Sequence, residues 1–184
     1  AFVLRADTWK PVFQIDVARC VRFVRGELTL EDLPVTGPYV VVSDLASMRR
    51  ELKRLGPQVA VDIETTGIDP HTATILCIGI SDGERTVVIG PWCAEGRVRP
   101  KPGFARELSS QLEWREGVWM HNGFGYDQIA MRRDGVKFGG NLEDTLQAHH
   151  CFASHLPQRL DQVVSEFCDS MPWKVKFGRR GAEE

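Results

Sequence analysis

VAVDIETTG, residues Val59 to Gly67, alternates apolar and polar side chains with the period of a β-strand. In a strand, successive side chains point to opposite faces, so Val59, Val61 and Ile63 share one face while Asp62 and Glu64 share the other. Two carboxylates placed side by side repel each other, and burial raises the cost. Either both stand on a solvated strand face, or a divalent cation compensates them. Hard oxygen ligands of this kind suit magnesium or manganese. The stretch closes on Thr65, Thr66 and Gly67, small residues that suit a strand end opening onto a site.

Upstream, PYVVVSD reads as a short strand, and Ser43 is placed to cap the helix DLASMRRELKRLG, which ends at Gly56. Downstream, ATILCIGISD and RTVVIGP are rich in β-branched residues and separated by turn residues. With the opening stretch they form three consecutive strands with short joints, the pattern of an antiparallel meander. FARELSSQLEWR then reads as a helix and GVWMHN as a short apolar strand. Further helices are expected at about 124–133, 142–154 and 160–168. A meander followed by alternating helix and strand predicts an α/β fold with a mixed central sheet flanked by helices. Residues 1–35 read as a separate N-terminal segment whose end, GELTLEDLPVTGP, is a linker rich in turn residues, leaving 36–184 as the main domain.

Composition narrows the function classes. The chain has 184 residues, of which 42% are hydrophobic, enough for a core and too many for a disordered chain. Its apolar runs are too short to span a bilayer, and its first residues carry no secretory h-region. Five cysteines, with no CxxC pair, argue for free thiols in a reducing compartment. A net charge of −2 excludes a protein that coats nucleic acid nonspecifically, so any such contact is local or mediated by cations.

A second acidic motif follows the meander. MHNGFGYD sets Asn122 and Asp127 just past a strand, with Asp127 at the start of a helix, where its charge is favourably placed. Taken alone, Asp127 reads as a capping residue. Together, VDIETTG and HNGFGYD resemble the first two motifs of the DEDD-type 3′→5′ exonucleases. The continuation EDTLQAHHCFASHLPQRLDQVVSEF is similar to the proofreading domains of phage-like family A DNA polymerases. The resemblance covers roughly residues 38–176.

That resemblance implies the RNase H-like (DnaQ-like exonuclease) fold and two divalent cations, Mg2+ or Mn2+. The implied reaction is hydrolysis of the 3′-terminal phosphodiester of DNA at a single-stranded or frayed primer end. It implies Asp62, Glu64 and Asp127 as catalytic and metal-holding residues, and a polymerase domain C-terminal to this one in the full product. Thr65, Thr66 and Gly67 are then candidates for close approach of the terminal nucleotide or for a plain turn. Asn122 is a candidate for a bond near the site or for stabilising its loop, and Tyr126 for core packing rather than base stacking. An RNase D-like exoribonuclease and a catalytically silent nucleic-acid-binding scaffold are the alternatives. With the unpaired thiols, the resemblance implies the cytoplasm of a bacterial or phage-infected bacterial cell.

One part of the pattern is missing. The family carries a further Asp four residues after a Tyr or His, and no such pair occurs here. Tyr126 is followed at that spacing by Ala130, and His149, His150 and His155 by Ala153, Ser154 and Arg159. Asp144 and Asp161 are the nearest acids and are read as supporting residues on helices. A chain that lacks an initial Met and stops at GRRGAEE is expected to be a piece cut before that motif. The stretch FVLRADTWKPVFQIDVARC is similar to the last strand-turn-helix of microbial uracil-DNA glycosylases, and is equally an ordinary amphipathic helix. Among the basic residues, Arg49, Arg50, Lys53 and Arg54 read as a solvated helix end. Arg97, Arg99 and Lys101 are phosphate candidates in a loop, and Lys174, Lys176, Arg179 and Arg180 are candidates for a DNA path. His149–His150 reads as a helix face, and Trp114, Trp119 and Trp173 as packing residues.

Overall fold

The computed structural model describes residues 10–29, 38–139 and 141–168. The chain divides into two compact units, one within Thr36–Gln147 and one built from parts of Ala1–Val35 and Ala148–Glu184.

The first unit is a mixed six-stranded sheet with helices on one face. Its elements run β1 (Tyr39–Val42), α2 (Leu45–Leu52), β2 (Gln58–Thr65), β3 (Ile75–Ser81), β4 (Thr86–Ile89), α3 (Phe104–Leu112), β5 (Gly117–Met120), α4 (Asp127–Arg133) and β6 (Leu142–Asp144); helix α1 (Lys10–Val24) precedes them. The strand order is β1-β4-β3-β2-β5-β6. β2, β3 and β4 form the expected antiparallel meander, while β5 runs parallel to β2, β6 parallel to β5, and β1 parallel to β4. Side-chain alternation settles which face is which. Val59, Val61, Ile63, Ile78, Ile80, Val87, Ile89, Val118 and Met120 are buried in one core with Met48, Leu52, Leu108, Leu112 and Met131 from the helices. Slipping β2 by one residue would carry Asp62 and Glu64 into that core, so the register is strongly specified.

Three local expectations are corrected. The cap of α2 is Asp44, not Ser43: its Oδ1 accepts from the amides of Ala46 and Ser47 at 2.9 Å each. The helix expected over 124–133 begins only at Asp127, because Asn122–Gly125 close a turn first. The helix expected over 142–154 starts at Thr145, since Leu142, Glu143 and Asp144 pair with Val118, Trp119 and Met120 as a strand. Three residues are too short for periodicity to announce a strand; the partner strand decides it.

The basic end of α2 is mostly ion-paired. Arg49 binds Glu107 at 2.6 Å, and Arg50 and Arg54 bind Glu51 at 2.8 and 2.9 Å. Buried Arg115 donates to the carbonyls of Leu52 and Leu55 at 2.6 Å each, and to that of Gly56, satisfying the last turn of α2 and fixing the entry into β2.

The second unit contains α1, α6 (Leu160–Phe167) and most of α5 (Thr145–Ala153). Arg19 on α1 donates to the carbonyls of Ser165 and Cys168 at the end of α6, at 2.6 and 3.1 Å. His149 is buried with Nδ1 2.7 Å from Gln158 Oε1 and Nε2 3.0 Å from Glu166 Oε2. The stretch before Lys10, part of the glycosylase-like resemblance, lies outside the described residues, as do Trp173, Lys174, Lys176, Arg179 and Arg180.

Candidate active site

Asp62 and Glu64 stand on the sheet face opposite the core, both exposed, with Ile63 between them buried. Their cross-strand partners on β3 are Gly79 and Cys77. Gly79 has no side chain, so the surface beside Asp62 is bare backbone on that side.

Asp127 reaches the same strand from another part of the chain. The parallel ladder between β2 and β5 ends at Ala60↔Trp119. Beyond it, the Ile63 amide donates to Asp127 Oδ1 at 3.2 Å. The Asp127 carboxylate therefore takes up an amide that lies past the end of β5, beside the backbone that joins Asp62 to Glu64. It is only 6% exposed. Burial, then the negative charge of Asp62, push its pKa up to about 6, with a smaller contribution from Asp144. Asp62 and Asp127 are thus electrostatic neighbours, although 64 positions separate Ile63, next to Asp62, from Asp127.

The other residues singled out from the sequence build the walls. The Tyr126 hydroxyl lies 2.6 Å from Thr65 Oγ1, and both hydroxyls contact the Gly67 carbonyl, Thr65 at 2.9 Å. Two hydroxyl hydrogens serve three contacts, so either hydroxyl can donate to Gly67 while accepting from the other. Tyr126 itself packs against the core. Thr66 closes the β2–β3 loop: its amide donates to the Thr74 carbonyl and its Oγ1 accepts from the Thr74 amide, each at 3.0 Å. Asn122 turns the loop before α4 with a φ of 63°, the left-handed region that Asn tolerates better than most residues. The loop leaves no room for a side chain at Gly123, whose Cβ would overlap that of Met120.

Asp144 is the residue that the sequence reading placed on the wrong element. It ends β6, buried, opposite Met120 at the end of β5. Its Oδ1 accepts from the amides of Asn122 and Leu146, at 3.0 and 2.9 Å, and its Oδ2 from the amide of Phe124 at 3.0 Å. The sequence signal was the acid next to Thr145 in EDT, whose hydroxyl donates to the Met120 carbonyl at 3.0 Å.

Asp161 lies on α6 and pairs with Arg159 at 2.7 Å. Of the loop cations, Lys101 donates to the Ser43 carbonyl at 3.1 Å and lies over the Phe104 ring. Trp119 donates to Gln58 at 3.1 Å, and the exposed Trp114 ring carries the Arg115 guanidinium 3.9 Å from its centroid.

Among the described residues, no group of three or more His, Cys, Asp and Glu side chains already stands in metal-holding geometry. The donors at the strand end nonetheless suit a hard divalent cation. All are carboxylate oxygens, and the repulsion that helps keep Asp127 protonated up to about pH 6 is relieved by a cation beside it and Asp62. Among the described residues, no helix is long and apolar enough to cross a membrane.

The sequence matches no protein-family model and no curated protein. Solved structures do match. The chain is similar to NrnC of Brucella melitensis at 21% identity and a TM-score of 0.56, covering 74% of this chain and 63% of that one. Forms of the Brucella protein with bound Mg2+ and with pGG align at TM-scores of 0.54 and 0.55. Escherichia coli RNase D, an exoribonuclease involved in structured RNA processing, aligns at 19% identity and a TM-score of 0.52, over 72% of this chain and 33% of that one. The catalytic core of RRP6 from Trypanosoma brucei aligns at 18% identity and a TM-score of 0.51, over 77% of this chain and 36% of that one. The chain thus spans less than two thirds of each of these three relatives. The fold is the RNase H-like, DnaQ-like exonuclease fold, with its mixed sheet and flanking helices.

Proposed function

We propose that residues 36–184 belong to a 3′→5′ exonuclease domain that hydrolyses the terminal phosphodiester of a nucleic-acid 3′ end with two divalent cations. One observation carries the reading: the Asp127 carboxylate lies against the Ile63 amide, between Asp62 and Glu64, and feels the charge of Asp62. A carboxylate at the start of a separate helix is thus an electrostatic neighbour of one on the strand, which supports a shared cation.

Asp62, Glu64 and Asp127 would hold the cations, Mg2+ or Mn2+, which when bound supply the Lewis acidity that activates water and steadies the leaving oxygen. Asp127 gives up its proton as the site loads, so loading strengthens as pH rises through about 6. Thr65, Thr66 and Gly67 form the lip over which the terminal nucleotide enters. The hydroxyls of Thr65 and Thr66 are engaged within the protein, which presents the nucleotide with a shaped backbone edge. Asn122, in the turn before α4, and Tyr126, packed against the core next to Asp127, would set where Asp127 sits.

The sequence resemblance of EDTLQAHHCFASHLPQRLDQVVSEF favours DNA as substrate and a proofreading role beside a family A polymerase domain. The likeness to Escherichia coli RNase D favours an exoribonuclease equally well. Metal-dependent digestion of 5′-labelled single strands of DNA and of RNA by the complete gene product separates the two. Asp62→Ala in that product is expected to lower turnover by at least about 100-fold, the scale of losing a catalytic electrostatic group. Digestion at the natural rate by a folded Asp62→Ala variant overturns the metal assignment.

A further inference from the structure

We propose that Asp144 is a positioning residue for Asp127: its carboxylate sets the turn that delivers Asp127 to the end of β2, and through that turn sets the affinity of the site for divalent cations. The second clause rests on the proposed nuclease reading; the first does not.

Asp144 is not placed to be a ligand. In the β5–β6 register it shares a sheet face with Met120 and Val118, which belong to the core, whereas Asp62 and Glu64 are on the opposite face. Its two oxygens are already spent on backbone amides.

Nor is it only a helix cap. Capping α5 takes one oxygen, and Oδ1 does this through Leu146 at 2.9 Å and more weakly through Gln147 at 3.4 Å. Capping leaves the bonds to Asn122 and Phe124 unexplained. Those two amides lie 22 and 20 positions upstream, in the loop between β5 and α4. Alternate amides drawn onto one carboxylate force a tight turn, and the rest of the loop is built for it. Asn122 adopts a positive φ, Gly123 has no space for a Cβ, and the Gly125 amide closes back on the Asn122 carbonyl at 3.2 Å. Thr145 adds a bond to the Met120 carbonyl at 3.0 Å, so the ends of β5 and β6 are clamped together. Three residues after Phe124 the chain reaches Asp127. An ionised carboxylate accepts at both oxygens, and no neutral side chain of this size does. In Asp144→Asn one accepting oxygen becomes an NH2 facing an N–H donor.

The test reads Asp127 through its partner. Amide hydrogen exchange at Ile63 reports the bond to Asp127 Oδ1, and Asp127→Ala defines the signal when that bond is gone. Three chains are compared with the natural one, each first shown folded by thermal unfolding: Asp127→Ala, Asp144→Asn and Asp144→Ser. Serine keeps a capping oxygen for α5 but cannot span both loop amides, so it also serves if the Asn variant fails to fold. Exchange at Ile63 is expected to quicken about tenfold in both Asp144 variants, approaching Asp127→Ala, while Val61 stays protected. Mn2+ affinity, read by water-proton relaxation, is expected to fall about 10- to 100-fold. Natural protection at Ile63 in Asp144→Ser shows that the role is helix capping and overturns the proposal. Quickened Ile63 exchange with unchanged Mn2+ affinity overturns its second clause. If the natural chain binds no Mn2+, the nuclease reading fails, while Ile63 exchange still decides the positioning role.

Discussion

Replacing Asp127 by Asn should make this protein more stable while disabling it. Asp127 is buried, and burial together with the charge of Asp62 raises its pKa from 3.8 to about 6. At about 1.4 kcal/mol for each tenfold change in proton affinity, that rise corresponds to about 3 kcal/mol, and solvent screening at the rim of the site brings this to about 1–2 kcal/mol. The sign follows from proton linkage. Below pH about 4 the group is protonated in folded and unfolded chains alike, and the substitution changes little. As pH rises toward 6 the unfolded chain releases this proton and the folded chain keeps it, so the natural protein loses stability. Above about 6 the whole deficit is present, and the neutral amide removes it. The Asn oxygen can still accept from Ile63, so the fold keeps that bond. Thermal unfolding without metal at pH 8 should therefore give a midpoint about 2–8 °C higher for Asp127→Asn, given about 2–4 °C per kcal/mol for a chain of this size. The gain should vanish at about pH 3, below the unfolded value of 3.8. Adding Mn2+ should then stabilise the natural chain and not the variant. A variant that is less stable at pH 8, or equally stabilised at both pH values, would refute the electrostatic account of the site.

Three further outcomes are expected. Gly123→Ala places a Cβ onto that of Met120, and strain in so tight a turn should cost about 1–3 kcal/mol in chemical denaturation; an unchanged midpoint would show that the turn yields freely. Tyr126→Phe keeps the core contact but loses the hydroxyl shared with Thr65 and Gly67, so stability should fall by about 1 kcal/mol; Thr65→Val still loses its own bond to Gly67 in that background, and a double-mutant cycle should show a coupling of about 0.5–1 kcal/mol between the two hydroxyls, which strict additivity would refute. The His149 ring is buried, which opposes its charge, yet the bonds to Glu166 and Gln158 raise its pKa above the usual 6.5. The stability from that pair is complete below pH 6.5 and is lost as pH climbs through the raised value; in Glu166→Gln, urea midpoints compared between about pH 5.5 and 8.5 should show less of this decline, and an unaltered decline would rule the pair out.

Much of the site was legible because local rules act within a few residues. Alternation along VAVDIET alone puts Asp62 and Glu64 on one face and Ile63 on the other, whatever the rest of the chain does. The meander followed from β-branched runs with short joints. Resemblance rather than spacing brought in Asp127 as their partner. What stayed hidden depends on neighbours remote in sequence. Leu142–Asp144 is a strand because β5 supplies a ladder.

The sequence by itself determined which residues carry charge, which face of β2 they occupy and that the sheet is mixed, since periodicity and β-propensity are properties of short segments. Only the tertiary structure decided that the ladder between β2 and β5 stops at Ala60, freeing the Ile63 amide for Asp127. It likewise decided that Asp144 reaches across to the loop before α4. Those are bonds between groups tens of residues apart, and their existence depends on where the packed core brings two strand ends together, which no local pattern encodes.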